Sequence, residues 1–213
     1  MKILITFLSL AFFSSDYPCT ENAEVNLDPN NRIEIVDLNK KDIYEYLEET
    51  KESLEISVED LSEEQVQFQP DSDSWSIGEI VEHIIIVEGA LKGMLKGRIE
   101  AGENLDEMDE VKMTDDQVLG LITDRSSKIK TQDQFVPSGK FLDADEALTE
   151  FNDQREEILD WLKSSDADMR NYVNEFPFGK IDAYQTLLFM VGHTERHIGQ
   201  IEAVKSTPDF PEE

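Results

Sequence analysis

Leu187-Leu188-Phe189-Met190-Val191-Gly192-His193-Thr194-Glu195-Arg196-His197 is the stretch on which the reading of this chain turns. Wound as a helix, its run of apolar residues nearly encircles the axis, which predicts a segment buried on most sides from about Ile181 to Lys205. The two histidines that close the stretch are four residues apart. They therefore project from one side of that helix, about 6 Å apart along its axis, close enough for both rings to reach one ion.

Outward from there, the pattern gives three more long helices. The first runs from Leu38 to Leu61, with Ile43, Leu47, Leu54, Val58 and Leu61 at helical spacing. The second opens at Ser76, where Glu79 completes a capping box, and carries Ile77, Ile80, Val81, Ile84, Val87, Leu91 and Leu95 on one stripe to about Glu100. The third spans Asp143 to Lys163 through Ala147, Leu148, Phe151, Ile158 and Leu162. Between the second and third lies a long connection, 102–142, in which Thr114 caps a short helix ending near Asp124. A connection of that length inside a compact domain is usually functional or a crossover. No strand signal stands out. The expected fold is all-α, a four-helix bundle over residues 38–206, followed by a tail at 207–213.

Acids outnumber bases by 48 to 19, for a formal net charge of -29. A surface of that sign repels phosphate backbones, so nucleic-acid binding through a basic footprint is excluded. The acids are spread along the chain, as solvated helix faces would have them. At the N-terminus, Lys2 and an apolar run from Ile3 to Phe13 predict a secretory signal within 1–19, with 20–37 as a lead-in. That run is too short to cross a bilayer. Asp28 fails as the start of a calcium loop because Ile33 stands where glycine is required. Cys19 is the only cysteine, which rules out an internal disulfide; a lipid anchor there is a secondary expectation, since Asp16-Tyr17-Pro18 suits such processing poorly.

The chain has three histidines, and all fall on core-facing helical positions. His83 lies three residues after Ile80 and four before Val87, on the apolar stripe of the second helix. A lone histidine there would be an ordinary core residue. Three converging from two helices match a catalytic metal site with three protein ligands and one open position. Zinc suits such ligands best, with nickel or iron as alternatives. Glu195 sits two positions from each histidine of the pair and is turned away from them, so it cannot be the base of a zinc-protease motif. Gln200, one turn beyond the pair, and Glu79, one turn before His83, are the candidates to orient a ligand or hold a water. For Glu79 the capping role competes. Trp75, Phe68, Phe178 and Tyr184 are candidate walls of an adjoining pocket.

Trp75-Ser76-Ile77-Gly78-Glu79-Ile80-Val81-Glu82-His83, followed by Gly192-His193-Thr194-Glu195-Arg196-His197-Ile198-Gly199-Gln200-Ile201, resembles the DinB/YfiT-like superfamily, as does Phe178-Gly179-Lys180 before the last helix. The resemblance implies up-down-down-up connectivity, a zinc or nickel ion on His83, His193 and His197, and often a homodimer. Relatives include thiol S-transferases and metal-dependent hydrolases. A small-molecule substrate follows from either activity. An exported protein meets few reduced thiols, so hydrolysis is the favoured expectation. The alternative from a different class is a non-catalytic bundle in which a structural metal only ties helices together, serving as a binding or stress-related protein.

Overall fold

The structure is a computed structural model that describes residues 43–126 and 130–212. The expected signal segment, Cys19 and the lead-in lie outside the described residues, as do Leu38 and the first turn expected for the first helix. The chain divides into two units, 1–36 and 37–213, and every described residue falls in the second.

Four long helices carry the fold: α1 (Ile43–Val58), α3 (Ile77–Ala101), α5 (Ala144–Ser164) and α6 (Ala183–Lys205). Two short ones, α2 (Glu63–Gln67) and α4 (Asp115–Thr123), sit in the connections. Helix α6 lies against α1 and α3, and α5 closes the ring by packing on the same two. The chain direction follows from which ends share a core. One apolar cluster joins Ile43 and Leu47 of α1, Leu91 and Leu95 of α3, Ile158 and Leu162 of α5, and Leu187 and Leu188 of α6. The other joins Leu54 and Val58, Ile77 and Ile80, Ala144 and Phe151, and Ile201 and Val204. Helices α1 and α6 thus run from the first cluster to the second, while α3 and α5 run from the second to the first. This is the up-down-down-up connectivity that the family resemblance implies.

Helix starts follow local chemistry. Ser76 accepts from the Glu79 amide while Glu79 accepts from the Ser76 amide, and Thr114 with Gln117 does the same for α4. Each box satisfies two donors that no helical carbonyl can reach. Asp143 caps α5, and Asp182 with Gln185 caps α6.

Two expectations need correction. The first helix ends at Val58 rather than Leu61, because Asp60 adopts a left-handed φ of 66°; Ser62 then caps α2, which the sequence reading had not separated. The second concerns strands, of which none was expected before the last helix. The segment there forms an antiparallel hairpin, β1 (Val173–Phe176) with β2 (Gly179–Asp182), closed at Pro177-Phe178 with Gly179 at φ 130°. Strands of four residues are too short for alternation to stand out. The hairpin delays α6 to Ala183.

The long connection grips both helices that carry histidines. The Phe141 carbonyl comes within 2.6 Å of where a Cβ on Gly78 would stand, so only glycine permits that approach to α3. On α6, a Cβ on Gly192 would meet Leu119 at 2.9 Å and collide with Ile122, so α4 seats directly on the backbone there. Among the described residues, no helix is long and apolar enough to cross a membrane.

Candidate metal centre

His83 is delivered by the first half of α3 and His193 and His197 by the middle of α6, two helices in direct contact. One nitrogen from each ring lies within 4.8 Å of the others. Ring centroids are 5.1 Å apart for His83 and His193, 4.7 Å for His83 and His197, and 4.5 Å for the α6 pair. All three rings are buried.

Two rings are fixed from behind. His83 Nδ1 is 2.7 Å from the Phe135 carbonyl, which can only accept, so Nδ1 carries the proton and Nε2 the lone pair. His197 Nδ1 likewise donates to Gln200 Oε1 at 2.9 Å. The third ring differs: His193 Nδ1 is buried with no hydrogen-bond partner among the described residues. An unanswered buried nitrogen costs about 1–3 kcal/mol. It is the kind of group a cation would satisfy.

Burial pushes the His83 pKa down against the pull of the Phe135 carbonyl. Burial lowers His193 well below the ordinary value, helped by the charges of His197, His83 and Arg196. For His197, burial and then the charge of His83 bring the value to about 3, despite the bond to Gln200. All three are neutral at pH 7, the form that binds metal. Three neutral imidazoles, two of them oriented through their far nitrogen and one with an orphaned nitrogen, fit a divalent transition metal.

The other candidates sort themselves by contact. Gln200 is at the site. Glu79 is committed to its cap, where Oε2 accepts from the Ser76 amide and from the Gln69 side chain, both at 2.8 Å. Glu195 is only partly buried, and its charge acts on Tyr46 of α1, where it adds to burial in raising the phenol pKa. Trp75 does form a wall, with its ring 4.8 Å from His83 and 6.5 Å from His197. Phe178 reaches the site only through Phe189, on which it stacks and which in turn stacks on His193 at 6.3 Å. Phe68 packs on Phe210, and Tyr184 lies under the Arg170 guanidinium, so neither lines the site.

Sequence reasoning missed three contributors. Phe189 was read as core. Glu82, beside His83, is buried and binds the connection: it accepts from Ser138 Oγ at 2.7 Å and from the amides of Gly139 and Lys140 at 2.8 and 3.1 Å. Burial alone would raise its pKa, but these bonds outweigh it and hold it below the usual range. Glu88 and Arg155 form a fully buried ion pair a turn further along, joined by Thr50 and Thr194. The available signal was position: Glu88 and Arg155 occupy core-stripe sites, four residues after Ile84 and Phe151 respectively.

Fold and site together define an all-α bundle with a three-histidine cluster between two of its helices. The chain belongs to the DinB superfamily, whose model matches residues 46–201. It is 23% identical over 146 residues to the uncharacterised protein YuaE of Bacillus subtilis (strain 168), covering 68% of this chain and 86% of that one. Among solved structures it is similar to YfiT from Bacillus subtilis, described as a probable metal-dependent hydrolase with an unusual four-helix bundle topology. That match has a TM-score of 0.48 at 16% identity and covers 82% of this chain and 90% of the other.

Proposed function

We propose that this protein is a metal-dependent hydrolase in which His83, His193 and His197 hold one divalent ion, zinc before nickel or iron. The observation that carries the reading is the convergence of three neutral ring nitrogens within 4.8 Å, with two rings tied back through Nδ1. An ion held by three protein ligands supplies Lewis acidity at its remaining position and makes water a usable nucleophile near neutral pH.

The chain's own residues do the rest. The Phe135 carbonyl and Gln200 set the tautomer and aim of two rings, which raises ligand basicity. Trp75 and Phe189 flank the rings with apolar surface, screening the site from bulk water and offering a face to the non-reacting part of a substrate. The apolar leader expected at residues 3–13 supports hydrolysis over thiol transfer, because reduced thiols are scarce outside the cytoplasm.

The test is elemental analysis of the purified protein beside His193→Ala, followed by a screen of the metal-loaded protein against esters, amides and phosphoesters. About one metal per chain, lost in the variant, with turnover of one substrate class, is the expected result. Metal bound without any turnover would replace the hydrolase with the structural-metal bundle. No uptake of zinc or nickel would remove the metal as well.

A further inference from the structure

Glu82 is an acid where the fold can least use one. It is 3% exposed, in a chain of net charge -29. Taking a carboxylate out of water is costly, and self-repulsion adds to the cost in so acidic a protein. Its hydrogen-bond partners among the described residues are neutral: the Ser138 hydroxyl on Oε1, and the amides of Gly139 and Lys140 on Oε2. The Lys140 ammonium pairs with Glu150 instead. Two successive amides aimed at one oxygen make a concavity suited to an anion, and Gly139, at a left-handed φ of 78°, lets the backbone turn that way.

The segment so held is the one that steers His83. From 135 to 141 it runs back along α3: the Phe135 carbonyl meets His83, residues 138–140 meet Glu82, and the Phe141 carbonyl lies against Gly78. Only Val136 and Pro137 separate the Phe135 carbonyl from Ser138, and the proline is buried with its φ fixed by the ring. So short and stiff a link passes any displacement of 138 on to the carbonyl at 135. The other ties of this segment sit farther on. The Gln67 side chain donates to the Leu142 carbonyl, and Phe141 rests on Gly78, more than a full turn of α3 from His83. A hydrogen bond weakens steeply with misalignment, and the proton of His83 stands on Nδ1 because that carbonyl is there to accept it.

We propose that Glu82 is a positioning residue for its neighbour His83: by clamping residues 138–140 to α3 it keeps the Phe135 carbonyl on Nδ1, and so keeps Nε2 unprotonated for a metal. This rests on the three-histidine reading and extends it to a residue that acts through the main chain of the connection.

The test is nitrogen NMR of the three histidine rings in the metal-free protein at neutral pH, which tells the two neutral tautomers apart, beside zinc affinity by chelator competition. Glu82→Leu fills the space without an acceptor, and the freed donors lie on a loop where Ser138 and Lys140 are exposed to water. There the His83 ring should leave the Nδ1–H form for a mixture, and zinc should bind about 10–100-fold more weakly. The His197 ring, tied by Gln200, should stay as it was. Glu82→Gln keeps an oxygen for both amides and an Nε2 donor for the Ser138 hydroxyl, so ring and affinity should both stay close to wild type. Ser138→Ala, an exposed change that removes one bond of the three, should move both in the direction of Glu82→Leu by less, and it carries the test alone if Glu82→Leu does not fold. An unmoved His83 ring in the folded variants would overturn the role. So would equal shifts of the His83 and His197 rings, which would mean general loosening. A loss in Glu82→Gln as large as in Glu82→Leu would overturn the tie in favour of the charge. Failure of the wild type to take up zinc would overturn the metal reading and the role together, whereas an unmoved ring in a protein that binds zinc overturns the role alone.

Discussion

Helices α3 and α6 each contribute to two buried polar clusters, and the clusters differ in one respect. Around Arg155 every group is answered. Its Nε and Nη2 bond Glu88, its Nη1 bonds the Leu47 carbonyl and Thr50 Oγ1 at 2.8 and 2.9 Å, and Thr194 Oγ1 donates to Glu88 at 2.6 Å. Around the histidines the Nδ1 atoms of two rings are answered, while His193 Nδ1 has no hydrogen-bond partner among the described residues. His83 and Glu88 are barely more than a turn apart on one helix, and His193 and Thr194 are adjacent on another. A closed polar cluster fixes the helices that share it. An open one, set on helices already fixed, keeps a capacity to bind.

The contrast can be broken by experiment. The largest effect is expected at the closed cluster. Arg155→Ala leaves the Glu88 carboxylate buried and unpaired and should cost about 3–5 kcal/mol of stability by urea denaturation. Replacing both partners, as Glu88→Leu with Arg155→Met, should cost far less. If the single and double variants are equally unstable, the cluster's worth is packing rather than pairing.

Next comes the open cluster. His193→Ala should leave the metal-free protein close to wild type in melting temperature while abolishing the metal-dependent rise, about 2.7 kcal/mol at a hundredfold excess over Kd. Acid should act on the same groups. The folded-state pKa values of all three histidines lie below 6.5, so the unfolded chain binds more protons between 6.5 and each folded value. Metal-free stability should therefore fall as pH drops from 6.5 toward 3, and metal should leave over the upper part of that window. A flat stability profile there, followed by chemical denaturation, would show that the rings are not buried neutral.

Smaller effects separate support from capping. Gln200→Ala frees the His197 ring and should weaken metal affinity by about 10–100-fold in a chelator competition, with little change in apo stability. Ser76→Ala removes one half of the box that Glu79 completes and should cost about 1 kcal/mol without touching metal affinity. A metal-affinity loss in Ser76→Ala would return Glu79 to the site.

What the sequence disclosed follows the reach of each interaction. The histidine cluster was legible because histidine is rare here and its positions sit on stripes of period 3.6. Gln200 was legible by the same spacing. The capping boxes at Ser76 and Thr114 were legible because they are local. The hairpin at 173–182 was not, because four-residue strands leave no periodicity, and neither was the break at Asp60, a single backbone angle. Glu82 and the Glu88–Arg155 pair were hidden for another reason. Each joins residues 39 to 67 positions apart, as Glu82 does with Ser138 and Arg155 with Thr194 and Glu88, and no pattern within one helix reports a partner on another.

The bond from His83 to residue 135 is made to a main-chain carbonyl, and all twenty amino acids carry one. What heredity must preserve at that point is a count, not a letter. Substitutions of Phe135 can leave the acceptor in place, whereas gaining or losing one residue between Thr123 and Ala144 would present the ring with a different carbonyl. In related chains the register of this segment, measured in insertions and deletions, should be kept where its spelling drifts.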